Sequence, residues 1–116
     1  MVLVTGGCAS GKRSFALSLG YAEADIADAV LDERPVVCHV EELAARYEGP
    51  AGELAQALAE RELVICRELG CGPVPASAEE RALREKVGRL CTDLAQRADC
   101  VVRMVCGIPC VIKGEL

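Results

Sequence analysis

A glycine-rich stretch near the amino end carries the clearest chemical signal in the sequence. From Gly6 to Lys12 it reads GGCASGK, the pattern Gly-x-x-x-x-Gly-Lys. Glycines at both ends let backbone N–H groups turn inward around phosphate oxygens, and the lysine then reaches the β- and γ-phosphates of a nucleotide. We therefore predict a nucleotide-binding loop. Its residues are Gly6, Gly7, Cys8, Ala9, Ser10, Gly11, Lys12, Arg13 and Ser14.

The position after the lysine departs from the usual form of this motif. It normally carries a Ser or Thr whose hydroxyl binds Mg²⁺, whereas here it is Arg13, with Ser14 one place later. Arg13 cannot bind Mg²⁺, but it can place a second positive charge near phosphate. The alternative is that Arg13 points to solvent and metal binding is weakened. Ser14 supplies the hydroxyl if the start of the helix is shifted by one residue.

Glu68 is the second candidate for a catalytic role. It follows the apolar run at 62–66, which predicts a buried strand. Ligands of open α/β sheets bind at the carboxyl ends of the strands, so Glu68 should emerge at the same edge as the glycine loop. A carboxylate there binds Mg²⁺, directly or through water, or orients an attacking hydroxyl. The alternative is a surface ion pair with Arg67 or another neighbour.

Other polar residues give weaker signals. His39 is the only histidine and falls inside a predicted strand, where a structural histidine is more common than a catalytic one. Arg84 and Arg89 belong to a solvated helix face, and they would contact a phosphorylated substrate only if that face borders the crevice.

The eight cysteines could in principle form disulfides or bind metal. They are Cys8, Cys38, Cys66, Cys71, Cys91, Cys100, Cys106 and Cys110. No pair has the Cys-x-x-Cys spacing of a structural metal site, and no export signal precedes them. We therefore expect free thiols, several of them in the core, and keep a cysteine-based metal-binding protein as a third functional hypothesis.

The elements that would position these residues alternate along the chain. Short apolar runs predict strands at 2–5, 36–40 and 62–66, and the runs at 100–106 and 109–113 predict a hairpin. Helices are predicted at 13–19, 41–47 and 52–61. The longest is predicted after Ser77, which forms a capping box with Glu80 and precedes apolar residues at helical spacing. The stretch at 67–77 reads as a loop.

These elements predict an α/β fold, with a mostly parallel sheet and a C-terminal antiparallel hairpin, in a single domain spanning residues 1–116. A net charge of -5 and an aromatic content of 3% argue against nucleic-acid and anionic-membrane binding. The chain has no apolar run long enough for a membrane span and no recognisable signal peptide, so we expect a cytoplasmic protein.

Two blocks of the sequence resemble a known family, the bifunctional adenosylcobinamide kinase / adenosylcobinamide-phosphate guanylyltransferases. The N-terminal LVTGGCASGK is similar to the family's opening strand and loop, and the stretch from ELVICRELGCGPVP to GIPCVIK is similar to its C-terminal half. The matching positions in the second block are Glu68, Gly70, Gly72, Val74, Pro75, Arg84, Gly88, Arg89, Gly107, Pro109 and Lys113.

This resemblance implies a P-loop (RecA-like) fold with helices on both faces of the sheet. It also implies phosphorylation of adenosylcobinamide with ATP or GTP and Mg²⁺, transfer of GMP through a guanylylated histidine, and a homo-oligomer. His39 lies downstream of the family's histidine position, so we do not assign it that role, and Arg13-Ser14 replaces the family's Ser-Arg. The chain is also shorter than typical members and lacks a recognisable second acidic strand. A non-catalytic nucleotide-binding subunit descended from such a kinase is therefore the second hypothesis.

Overall fold

A computed structural model describes residues 1–7, 11–69 and 77–116 of the chain. Its strands are β1 (Val2–Gly6), β2 (Ile26–Asp28), β3 (Val36–Cys38), β4 (Leu63–Arg67), β5 (Cys100–Val105) and β6 (Ile108–Lys113). Its helices are α1 (Lys12–Ser18), α2 (Val40–Arg46), α3 (Ala51–Leu58) and α4 (Ala78–Arg97), with a short 3₁₀ helix at Glu23–Asp25.

The strands form one six-stranded sheet in the order β2-β3-β4-β1-β5-β6. β1 lies between β4 and β5 and is parallel to both, and β2, β3 and β4 continue the parallel part. Of the described strands, β6 alone runs antiparallel, as the partner of β5. The predicted α/β class, with a mostly parallel sheet and a C-terminal antiparallel hairpin, is confirmed.

Successive residues of a strand point to opposite faces of the sheet, and the strands carry apolar residues on both. Helices therefore cover both faces. In β1, Leu3 joins one apolar cluster and Val4 joins the other. The first cluster contains the buried apolar residues of α2, α3 and α4, and the second contains Phe15 and Ala16 of α1. Among the described α-helices, α1 therefore packs on one face of the sheet, and α2, α3 and α4 pack on the other.

The long helix α4 begins and packs as its sequence pattern predicts. The Oγ of Ser77 accepts a hydrogen bond from the backbone N–H of Glu80 at 3.1 Å, which satisfies one of the free N–H groups at the helix start. Val87, Leu90 and Leu94 are all buried on the sheet side. Their spacing of three and four residues places them on one face of the helix.

Three details of the sequence prediction are corrected. The strand β2 was not predicted at all, since its three residues are too short to give a periodic signal. His39 was expected inside a strand, yet β3 ends at Cys38 and His39 adopts a left-handed backbone with φ 52° before α2 begins. The hairpin turn falls at Cys106 and Gly107, both with positive φ, which matches the turn type favoured between twisted strands.

Within the described ranges, no helix combines the length and the apolar character that crossing a membrane would require.

Candidate functional site

A cavity of about 480 Å³ opens at the carboxyl edge of the parallel sheet. Three segments form its walls: the start of α1, the end of β3 with the start of α2, and the end of β4. This is the edge at which open α/β sheets bind ligands, and the volume lies in the range of small-molecule sites. The described lining residues are Gly11, Lys12, Arg13, Ser14, Cys38, His39, Glu41, Glu42, Ile65 and Arg67.

The glycine loop borders this cavity. Gly11 has φ 88° and ψ 17°, a left-handed conformation that glycine adopts without a steric penalty, and α1 starts directly after it. The Nζ of Lys12 donates a hydrogen bond to the carbonyl oxygen of Gly7 at 2.5 Å, so the lysine side chain turns back toward the end of β1. The predicted binding residues Cys8, Ala9 and Ser10 lie outside the described residues.

Arg13 and Ser14 both line the cavity from α1. The Arg13 guanidinium pairs with the Glu23 carboxylate of the 3₁₀ helix and lies 3.8 Å from the Sγ of Cys38. The hydrogen bond to Glu23 raises the pKa of Arg13 further above its ordinary value. Arg13 is therefore not simply a solvent-directed side chain, since its charge is held at the wall of the cavity.

His39 contacts an aspartate that the sequence analysis did not single out. Its Nδ1 lies 2.5 Å from the Oδ1 of Asp28, at the end of β2, and 3.6 Å from the Sγ of Cys38. The hydrogen bond with His39 lowers the pKa of Asp28. Burial, helped by the nearby Asp28, raises the pKa of the Cys38 thiol to about 11.

Glu41 is a second residue that sequence reasoning missed. It lies in the first turn of α2, is only 7% exposed, and lines the cavity. Its Oε1 accepts a hydrogen bond from the backbone N–H of Arg67 at 2.9 Å, which ties α2 to the end of β4. A carboxylate this buried is uncommon without a partner, and the available signal was that Glu41 directly follows the strand predicted at 36–40.

Glu68 occupies the expected edge but makes a different contact. Its backbone N–H donates to the carbonyl oxygen of Gly6 at 2.9 Å, so it does follow β4 beside the loop. Its carboxylate oxygens accept hydrogen bonds from Arg103 of β5 at 3.1 and 3.3 Å. Glu68 is not among the described residues that line the cavity, and its role stays a prediction.

Arg84 and Arg89 lie on α4, across the sheet from α1. Arg89 is exposed and pairs with Glu85 at 3.7 Å, beside a shallow depression on the helix surface. Arg84 is half-buried. Neither arginine belongs to the described lining of the cavity, so the structure does not bring them together with Lys12.

Comparison with known proteins identifies the family. The model of the cobinamide kinase / cobinamide phosphate guanyltransferase family matches residues 36–112, about two thirds of the 116-residue chain. The matched region includes β3, β4 and the C-terminal hairpin, while the glycine loop precedes it. A search of curated proteins finds no match. The chain belongs to the cobinamide kinase / cobinamide phosphate guanyltransferase family.

Proposed function

We propose that the protein transfers the γ-phosphoryl group of ATP or GTP to the hydroxyl of adenosylcobinamide, a step of cobalamin biosynthesis. The observation that carries this proposal is the cavity of about 480 Å³, in which Lys12, Arg13 and Ser14 of α1 share the lining with His39, just before α2, and Glu41 of α2. Positive groups thus stand on one wall and proton-accepting groups on the other. Family membership supplies the substrate class.

Each wall contributes a separate part of the chemistry. Lys12 offsets the negative charge of the transferred phosphoryl group, which is the main requirement of phosphoryl transfer. Arg13 adds its charge only by exchanging its ion pair with Glu23 for the phosphate. The Glu41 carboxylate accepts the proton of the attacking hydroxyl or orients that hydroxyl. Its hydrogen bond with the Arg67 N–H holds one carboxylate oxygen in place. Catalysis then comes mainly from positioning and electrostatics.

The residues at the cavity also fit Mg²⁺. This ion prefers oxygen ligands and is usually coordinated by one or two carboxylates together with the phosphates of the substrate. Ser14 and Glu41 both line the cavity, so we propose the Ser14 hydroxyl and the Glu41 carboxylate as its protein ligands. In that arrangement Glu41 orients the attacking hydroxyl and does not take its proton. Glu68 remains a further candidate if its contact with Arg103 is exchanged. An ion held there would neutralise negative charge on the phosphates.

Isothermal titration with ATP and GTP, with and without Mg²⁺, tests nucleotide binding, and transfer of labelled phosphate to cobinamide tests the reaction. Lys12→Met should remove transfer. Lys86→Met is a matched control, because the Lys86 Nζ donates to the Tyr47 carbonyl oxygen and does not line the cavity. Absence of binding heat for both nucleotides would contradict the proposal. An equal loss of phosphate transfer in Lys12→Met and Lys86→Met would contradict it as well.

One observation favours a second function, nucleotide binding without transfer. The residue after Lys12 is Arg13, whose guanidinium is already paired with Glu23, and the hydroxyl of Ser14 comes one position late. A chain with weak Mg²⁺ binding would hold nucleotide but transfer nothing. Normal titration heats together with no labelled cobinamide phosphate would select this alternative.

Guanylyl transfer, the other activity in the family's description, needs a nucleophile. His39 is the only histidine, lines the cavity and has its Nδ1 held by Asp28, which leaves Nε2 as the nitrogen for such a step. In that step Nε2 would attack the α-phosphorus of GTP, the bond between the α- and β-phosphates would break, and pyrophosphate would leave. The guanylylated His39 would retain label from α-labelled GTP in an acid-labile form. If the wild-type protein retains no label from α-labelled GTP, His39 is not a guanylyl acceptor.

We also propose that the chain forms one P-loop domain and self-associates through β6. Every residue of β6 is exposed, and Ile108, Val111 and Ile112 present 64%, 46% and 65% of their surface. A strand at the edge of a sheet with apolar side chains is a site for pairing. Light scattering measures the mass in solution, and a monomer at every concentration would contradict self-association.

A further inference from the structure

Three kinds of metal-binding donor meet beside the cavity. The carboxylate of Asp28, the thiol of Cys38 and the imidazole of His39 each offer one atom, and these atoms all lie within 4.8 Å of one another. Carboxylate oxygen, thiolate sulfur and imidazole nitrogen are the ligands of zinc in proteins. Sequence spacing concealed the group, because Asp28 and Cys38 belong to different strands.

The backbone brings the three side chains to one place. Asp28 and Cys38 are paired in the parallel ladder of β2 and β3, so their side chains leave the same face of the sheet. A third extended residue would point its side chain to the opposite face. His39 instead has φ 52° and ψ 44°, and its Nδ1 comes within 3.6 Å of the Cys38 Sγ. The left-handed residue thus completes the group.

The spacing suits a tetrahedral ion. With Zn–S near 2.3 Å and Zn–N near 2.0–2.1 Å, tetrahedral geometry separates sulfur and nitrogen by about 3.5 Å. The observed distance between Cys38 Sγ and His39 Nδ1 is 3.6 Å. The oxygen and nitrogen ligands would stand about 3.4 Å apart, so the contact of Asp28 with His39 must widen by about 0.9 Å. The side chains of Asp28 and His39 are 60% and 49% exposed and have room to make that change.

Charge and access are also suitable. Metal binding would displace the thiol proton of Cys38 to solvent, and the resulting thiolate and the Asp28 carboxylate together balance a divalent cation. The neighbouring guanidinium of Arg13 is already paired with Glu23. Cys38 and His39 line the cavity of about 480 Å³. Three protein ligands leave a fourth position, as in catalytic zinc sites, and water or an anionic oxygen can occupy it.

We propose that Asp28, Cys38 and His39 form a binding site for one divalent cation of the Zn²⁺ class, with its fourth coordination position open to the cavity. The site differs from the Mg²⁺ position at Ser14 and Glu41, whose donors are oxygen atoms. It does not rest on the proposed phosphotransfer, because the test uses neither nucleotide nor corrinoid. It is an alternative to guanylyl transfer at His39, since a metal on Nδ1 leaves the imidazole proton on Nε2.

The test is a titration of the full chain with Co²⁺, after reduction and removal of bound metal with a chelator. A sulfur-to-cobalt charge-transfer band in the near ultraviolet should saturate at one equivalent, and Zn²⁺ should abolish it. Inorganic phosphate should then change the visible cobalt bands, because it reaches the fourth position. An unchanged visible spectrum would overturn the open position.

Variants locate the ligands. Cys38→Ser should abolish the band, whereas the matched control Cys110→Ser, at an exposed cysteine of β6, should keep it. Asp28→Asn and His39→Asn should weaken binding. Loss of an outer-shell partner already costs roughly 10- to 100-fold in metal affinity, so we expect at least about 100-fold for a direct ligand. Asparagine is chosen at position 39 because it tolerates left-handed backbone.

Circular dichroism melting checks that each variant is folded. If Cys38→Ser does not fold, Asp28→Asn and His39→Asn decide the outcome, since both side chains are exposed. Absence of the band in the wild-type protein would overturn the site. A full band in folded Cys38→Ser, or wild-type affinity in both asparagine variants, would do the same.

Discussion

Replacement of Gly11 by alanine tests the geometry of the glycine loop. Gly11 has φ +88°, which L side chains rarely adopt. A Cβ added there would lie 3.3 Å from the Cα of Gly107, in the turn between β5 and β6, and 3.9 Å from the Cε of Met104. The substitution therefore combines backbone strain with a close approach to another backbone segment, which cannot move aside as a flexible side chain can.

The expected cost follows from these two effects. Left-handed backbone costs a non-glycine residue roughly 1–2 kcal/mol, and the crowded contact with Gly107 should bring the loss of unfolding free energy to about 1–3 kcal/mol. For 116 residues, an unfolding entropy near 2.1 cal/mol/K per residue corresponds to a Tm decrease of about 4 °C per kcal/mol. Gly11→Ala should therefore lower Tm by about 4–12 °C.

Calorimetry on three proteins separates the two effects. Gly20→Ala is the matched control, because Gly20 has φ +103° but a Cβ there would meet nothing within 4 Å. It should show the backbone strain alone and lower Tm less than Gly11→Ala does. Equal Tm decreases in the two variants would refute the contact with Gly107. An unchanged Tm in both would refute the whole line of reasoning.

Three further predictions concern stability and thiol reactivity. Gly88→Ala should raise the unfolding free energy by about 0.5–1 kcal/mol in urea denaturation, because Gly88 is inside α4 and a Cβ there meets nothing within 4 Å. The hydrogen bonds from Arg34 lower the pKa of Asp32 in the folded protein below its ordinary value of 3.8. The stability that these bonds add is therefore present above pH 3.8 and is lost as the pH falls through the lowered pKa of the folded state. The Tm advantage of wild type over Asp32→Asn should thus shrink below pH 3.8, and an advantage that persists in acid would contradict this. Iodoacetamide should modify exposed Cys110 well before Cys66, because a hydrogen bond with Cys91 and burial both raise the pKa of Cys66. Mass spectrometry of peptides from a timed reaction measures the order of modification, and modification of Cys66 before Cys110 would contradict this prediction.

The sequence predicted the parts of the fold that have strong local signals. Apolar runs indicated β1, β3 and β4, and Ser77 marked the start of α4, because burial and capping depend on nearby residues. β2 gave no such signal, since it depends on pairing with β3 and on a hydrogen bond from Arg34 to the carbonyl oxygen of Ile26 at 3.1 Å. Contacts between distant residues do not appear in a local pattern.

In the candidate site, too, the sequence indicated features with a local signal and missed those that depend on contacts between distant residues. The glycine spacing indicated the loop, and the strand-end rule led to Glu68. The rule could not tell that Glu68 would pair with Arg103 while buried Glu41 faces the cavity. The contact of Asp28 with His39 depends on strand register and on one left-handed residue, neither of which the sequence pattern reveals.

The short edge strand β2 links the cavity to the least protected part of the sheet. It pairs with β3 through only three residues and has no described neighbour on its other side, yet it carries Asp28. Edge segments open locally at a lower free energy than the central strands do. A ligand that holds Asp28 against β3 would therefore also suppress local unfolding of β2. Ligand binding at the cavity would in this way stabilise the edge of the sheet.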